Sequence, residues 1–255
     1  MCEGWRKPLD LIVSVVTLLS YGCSQQAMVQ AFGLDERTVA SWQKRAGQHG
    51  QHVHHAVVEQ GQVNSSHIQA DELRAKGRKI IVWMACAMDV PTRLWLAGVV
   101  SQQRDHRLTD HLFQHVRVCC QFLQGLLVCT DGFAAYPKSI VRAFRNKVKK
   151  QAGPGRRCLE AWPDLCIATV IKHTKRKPAE EIVRKVTRGT SEKAKELLLM
   201  TKGCTEFNTA FIERLNGTFR ALRPLGGWMR LSRVRLRVMR MPENHHFIHF
   251  PPEGT

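Results

Sequence analysis

Apolar residues in the first 46 positions recur at helical spacing. Leu11, Val15, Leu18 and Leu19 mark one helix. Ser24 is placed to cap a second, with Ala27, Met28, Ala31 and Phe32 as its inward set. Gly33 supplies a sharp turn, and Asp35 caps a third helix whose Val39 and Trp42 face back onto the second. Two short helices, a glycine turn and this inward set predict a helix-turn-helix over residues 8–46. Its outward side then carries Glu36, Arg37, Ser41 and Lys44. Residues 47–65, rich in Gly, His and Ser, read as a solvated linker. His52, His54 and His55 lack the i, i+4 spacing of a helical metal site, and no cysteine lies near them.

From residue 66 the period changes. His67 to Leu73 alternates as a strand does, the run 80–88 is apolar and strand-like, and Asp89-Val90-Pro91-Thr92 makes a turn into a second strand, 94–100. These two runs predict an antiparallel hairpin, with Asp89 as a turn residue. A helix follows from about Arg104, with Leu108, Leu112, Val116 and Cys119 or Cys120 on its core side and Asp105 as a first-turn acid. The buried strand 126–130 stops at Asp131-Gly132, an acid at a strand end of the kind that faces a site. Residues 165–171 offer one more strand. In the run 208–223, Ile212, Leu215, Phe219 and Leu222 form a helical core stripe, and Glu213, Asn216 and Arg220 form the stripe beside it. Strands mixed with helices in this order predict an α/β core preceded by an all-α segment.

Charge narrows the partners. Lys+Arg 39 against Asp+Glu 21 gives +18, a field that favours polyanions, nucleic acid first. Between residues 142 and 202 there are 17 Lys+Arg and 6 Asp+Glu, so much of the excess sits in a basic insertion, 146–207. Lys149, Lys150, Lys175, Arg176 and Lys177 are its candidate phosphate contacts. The nine cysteines form no C-x-x-C pair and mostly sit in apolar runs, which fits a reducing cytoplasm and excludes a disulfide framework or zinc finger. The apolar run 11–19 is too short to span a bilayer and reads as a buried helix rather than a leader, so no membrane partner is expected.

Five short pieces now fall in one order: Ala70-Asp71-Glu72-Leu73; Asp89-Val90-Pro91-Thr92-Arg93-Leu94-Trp95-Leu96; Val100 to Asp105; Thr130-Asp131-Gly132-Phe133-Ala134-Ala135-Tyr136; and Phe211 to Arg220. This set resembles the DDE transposases of bacterial insertion sequences, which share an RNase H-like fold with retroviral integrases. The resemblance runs from about residue 20 to 223. It implies an RNase H-like mixed sheet flanked by helices over 66–223, with an N-terminal helix-turn-helix. Asp71, Asp131 and Glu213 would be the catalytic acids holding two Mg²⁺ ions, for which Mn²⁺ substitutes. Asp71 would bind both ions, and Asp131 and Glu213 one each.

The chemistry suits those residues. Cutting or joining DNA requires the attacking and leaving oxygens at one phosphate to be stabilised together, and two hard cations bound by carboxylates do this. The resemblance further implies strand cleavage and transfer at element ends, double-stranded DNA as partner (element ends and target), a homo-oligomer and a cytoplasmic, nucleoid-associated location. Arg37, Ser41, Lys44 and Arg220 join the basic insertion as candidate DNA contacts. Residues 224–255 depart from the pattern. Gly226-Gly227-Trp228-Met229 leads to an Arg-rich run and then Pro242, His245, His246, Pro251 and Pro252, which resembles a frameshifted or decayed end. A non-catalytic DNA-binding protein or decayed copy is therefore the rival reading, and a structure-specific nuclease is another.

Overall fold

The computed structural model describes residues 7–76, 81–122, 125–148, 157–174, 180–201 and 204–222. Lys149, Lys150, Lys175, Arg176 and Lys177, and the tail from 224, lie outside the described residues.

Three helices open the chain: α1 (Leu9–Ser20), α2 (Gln25–Phe32) and α3 (Glu36–His54). The caps expected from sequence are present. Ser24 Oγ accepts from Ala27 N at 3.1 Å, and Asp35 Oδ1 accepts from Arg37 N and Thr38 N at 2.9 and 3.3 Å. Gly33 makes the turn in the left-handed region, φ 59°. Ile12, Val15, Met28, Leu34, Val39 and Trp42 are buried together. Ala27 and Ala31, expected inward, are exposed. The helix is rotated so that Met28, Val29 and Phe32 point in, because larger side chains gain more from leaving water.

The expected linker 47–65 is helical for most of its length. α3 continues through Gly47 and Gly50 to His54, and a wider π turn carries it to Glu59. Tertiary contacts outweigh the two glycines. Val58 is buried in the main core. The His54 ring meets the Trp95 ring at 5.2 Å, with Nε2 3.3 Å from the Trp95 carbonyl oxygen.

The centre is a six-stranded mixed sheet. Its strands are β2 (His67–Lys76), β3 (Ile81–Asp89), β4 (Trp95–Ser101), β6 (Leu126–Thr130), β9 (Leu165–Thr174) and β10 (Glu180–Arg188), in the order β10-β9-β6-β2-β3-β4. β2, β3 and β4 form an antiparallel meander. β6 runs parallel to β2, β9 parallel to β6, and β10 returns antiparallel. Two small ribbons, β1 (Val63–Asn64) with β5 (Cys120–Gln121) and β7 (Arg145–Val148) with β8 (Cys158–Ala161), lie outside it.

Helices α4 (His106–Cys119) and α5 (Ala135–Ala143) cover one face, burying Leu108, Leu112, Phe113, Val116, Tyr136 and Ile140 against Ile68, Ala70, Ala85 and Ala87. Helices α6 (Ser191–Leu199) and α7 (Ala210–Leu222) cover the other. The stretch read as a basic insertion, 146–207, supplies strands β9 and β10 of the sheet and helix α6. β9 is an interior strand, with Cys166, Ile167, Ala168 and Val170 buried. No helix among the described residues is long and apolar enough to cross a membrane.

Candidate active site

Strand alternation sets the site's plan. On β2, Ile68 and Ala70 face α4, while Leu73 packs with Ile212 of α7. Asp71 shares the α7 side and Glu72 the α4 side. β6 pairs with β2 only as far as Ala70↔Thr130, so past that point β2 has no neighbour on this edge. Asp131 follows immediately where β6 stops. The Asp71 and Glu72 carboxylates reach round that open end from opposite faces. One oxygen each from Asp71, Glu72 and Asp131 lie within 4.8 Å of one another.

Glu213 arrives from the first turn of α7. The junction holding that helix is made by Gln69, which is fully buried. Its Nε2 donates to Asn208 O at 2.8 Å and to Asn208 Oδ1 at 3.1 Å. Its Oε1 accepts from Phe211 N and Ile212 N, both at 3.0 Å, two donors with no partner inside the helix. One turn beyond Glu213, the buried Asn216 donates from Nδ2 to Asp71 Oδ2 at 2.8 Å. Asp71 Oδ1 accepts from Glu72 N at 2.8 Å. Glu213 faces the same open end, and its charge raises the pKa of both aspartates.

Two basic side chains pair with three of the four acids. Arg104 reaches Glu72 Oε1 through Nε and Glu72 Oε2 and Asp131 Oδ2 through Nη2, each at 3.3 Å. Lys172 on β9 holds both Glu213 oxygens at 2.7 and 2.8 Å, and Thr209 Oγ1 donates to Glu213 Oε1 at 2.5 Å. Glu213 is outside the 4.8 Å set. Arg104, Asp131, Phe133, Lys172, Thr209 and Glu213 line one open cleft.

The acids are hard to ionise together. Burial raises the pKa of Asp71, and the Asp131 and Glu213 charges raise it further against the Glu72 amide and Asn216. Burial also raises Asp131, opposed by the Phe133 amide and Arg104. Glu72 is pushed up to about 7 by burial first and Asp131 next, with Arg104 pulling it down. A cation placed among them would relieve all three at once.

Of the expected residues, Asp71, Asp131 and Glu213 come to one end of the sheet. Arg37, Ser41 and Lys44 are exposed on α3, and Arg220 is exposed on α7. Asp89 is fully buried, not merely in a turn: it accepts from Ser65 Oγ at 2.5 Å and from Thr92 N and Oγ1 at 2.9 and 2.5 Å. Asp105 caps α4, accepting from Arg107 N and Leu108 N at 3.1 Å each. Sequence reading gave Gln69 no role, placed Arg104 only within one of the matching pieces, counted Lys172 only among the basic residues for phosphate, and set Asn216 on the stripe beside Glu213 without a partner. No protein-family model matches the chain, and no curated protein matches it.

Proposed function

We propose that the chain is a DNA transposase, a polynucleotidyl transferase on an RNase H-like core with an N-terminal helix-turn-helix that binds element ends. One observation carries this reading: Asp71 and Asp131, 60 positions apart in sequence, bring oxygens within 4.8 Å of each other, and Glu213, 82 positions further on, lines the cleft beside Asp131. An antiparallel meander extended by parallel strands, with helices on both faces, is compatible with the RNase H-like core that the resemblance implies. The substrate is double-stranded DNA, at element ends and target, and the working form is a homo-oligomer.

The reading requires Mg²⁺, or Mn²⁺ in its place, and the donors fit. They are carboxylate oxygens, the ligands hard cations take, and their mutual repulsion gives a cation a favourable place to sit. Asp71, Asp131 and Glu213 would hold the ions, with Glu72 beside them. Bound there, the ions supply positive charge to the attacking and leaving oxygens of a phosphate. The protein's own groups do the positioning. Asn216 fixes the orientation of Asp71, Gln69 fixes α7, and Arg104 and Lys172 set positive charge in the cleft for phosphate oxygens. In the first step water's oxygen bonds to phosphorus and the P–O3′ bond breaks, freeing a 3′ hydroxyl. In the second that hydroxyl attacks a target phosphodiester. Each step makes one P–O bond and breaks one, so no energy carrier is consumed.

Asp131→Asn tests this. The variant is expected to lose Mg²⁺- and Mn²⁺-dependent cleavage and joining of an end-bearing duplex while binding that duplex as the parent does. A parent protein that binds the duplex but cuts with neither ion would overturn the enzymatic reading in favour of a non-catalytic DNA-binding protein. Cutting without joining would make it a nuclease.

A further inference from the structure

We propose that Arg104 is a resident counter-ion of the acidic site, anchored by Glu72, that competes with the divalent cation for Asp131. The inference rests on the reading of these acids as a metal site.

Arg104 is well anchored at its base and loosely held at its tip. The Asp105 cap fixes the backbone beside it. Its guanidinium lies over the Phe133 ring at 4.2 Å and near the Trp83 ring at 5.2 Å. Its three carboxylate contacts are all 3.3 Å. Tight charge-assisted bonds run about 2.7–2.9 Å, and Lys172 reaches that range on Glu213 at 2.7 Å. One guanidinium divided between two carboxylates satisfies neither fully.

The two carboxylates differ in access. The Glu72 side chain is 1% exposed and that of Asp131 is 32%, with Arg104 at 34%. Glu72 is therefore the fixed anchor, and Asp131 is the partner that can be given up to something entering from the cleft. A divalent ion on the clustered oxygens would stand close to the guanidinium, and like charges at such range repel. Cation binding must therefore displace Arg104 from Asp131, which weakens the cation's hold on the free protein. A phosphate in the cleft offers the guanidinium another forked partner.

The test is Mn²⁺ binding to the full chain without DNA, read as loss of the free-ion signal in electron paramagnetic resonance. Circular dichroism checks folding. Arg104→Gln is expected to bind Mn²⁺ roughly tenfold tighter than the parent, within the usual range of coupling between two sites. Arg104→Lys is expected to gain less, because it loses the fork across both carboxylates but keeps the positive charge. Equal or weaker affinity in folded Arg104→Gln overturns the proposal, and Arg104→Lys decides in the same way should the glutamine variant not fold. Asp131→Asn separates the two levels. If it loses Mn²⁺ while the Arg104 variants match the parent, only the counter-ion inference fails. If Mn²⁺ binding ignores Asp131→Asn, the metal reading fails as well.

Discussion

Both ends of the Gln69 amide act at one junction, where strand β2 meets the start of α7. Gln69→Leu is expected to cost about 2–4 kcal/mol, because it strands the buried Ile212 amide, the half-buried Phe211 amide and the Asn208 carbonyl. Denaturant unfolding measures that loss. His67 has the opposite character. It is fully buried, and neither ring nitrogen has a hydrogen-bond partner among the described residues. Burial first and the nearby Arg93 charge second lower its pKa from 6.5 to about 3. The unfolded chain therefore takes up a proton that the folded chain refuses. Stability from this residue is intact above pH 6.5 and is lost as pH falls toward 3. His67→Leu removes the dependence. Between pH 7.5 and 5 its stability is expected to gain on the parent by about 2 kcal/mol, at about 1.4 kcal/mol per unit of pH below 6.5. Parallel unfolding curves at the two pH values check this.

At the level of elements, α3 joins the N-terminal helices to the main core without a break before Glu59. Gly47 and Gly50 lie within it, and a methyl group at either would meet nothing within 4 Å. Gly47→Ala with Gly50→Ala should therefore stabilise the helix by about 1–2 kcal/mol in total, seen as a raised Tm. Helices, strands and caps with strong local signals were legible in the sequence: Ser24, Gly33, Asp35, the hairpin after residue 80, and strand 126–130. The helical run 47–59 was not. Its composition is that of a loop, and what holds it is Val58 and His54 packing against distant residues. β10 was obscured by the charge of the region, as an edge strand shows few apolar residues, and α6 by its shortness, with Ala194, Leu197 and Leu198 its buried residues. Asp131 and Glu213 were visible as acids at the end of a strand and the start of a helix, whereas Asp71, inside β2, was singled out by the resemblance alone. The cations and the Gln69 amide that hold them were not visible, because Arg104, Lys172 and Gln69 act across distances of 27 to 143 positions that no local pattern encodes.

Over the whole molecule, the chain carries a net charge of +18 and, among the described residues, a cleft where acids gather. On the transposase reading, DNA affinity is expected to fall by roughly 10³–10⁵ between 50 and 200 mM salt, the loss for about six to ten phosphate contacts. A titration series in fluorescence anisotropy measures the slope, and an affinity indifferent to salt would exclude a phosphate-gripping surface. The arrangement of the acids along the chain has one more consequence. Glu213 and Asn216 sit on the last described helix, and Asp71 relies on Asn216 for one of its two hydrogen bonds. A chain emerging from the ribosome carries Asp71 and Asp131 long before either arrives, so a partly made protein holds an incomplete set of acids. On the transposase reading, cutting is therefore expected only once synthesis has passed residue 216, well after the N-terminal helices are free to fold.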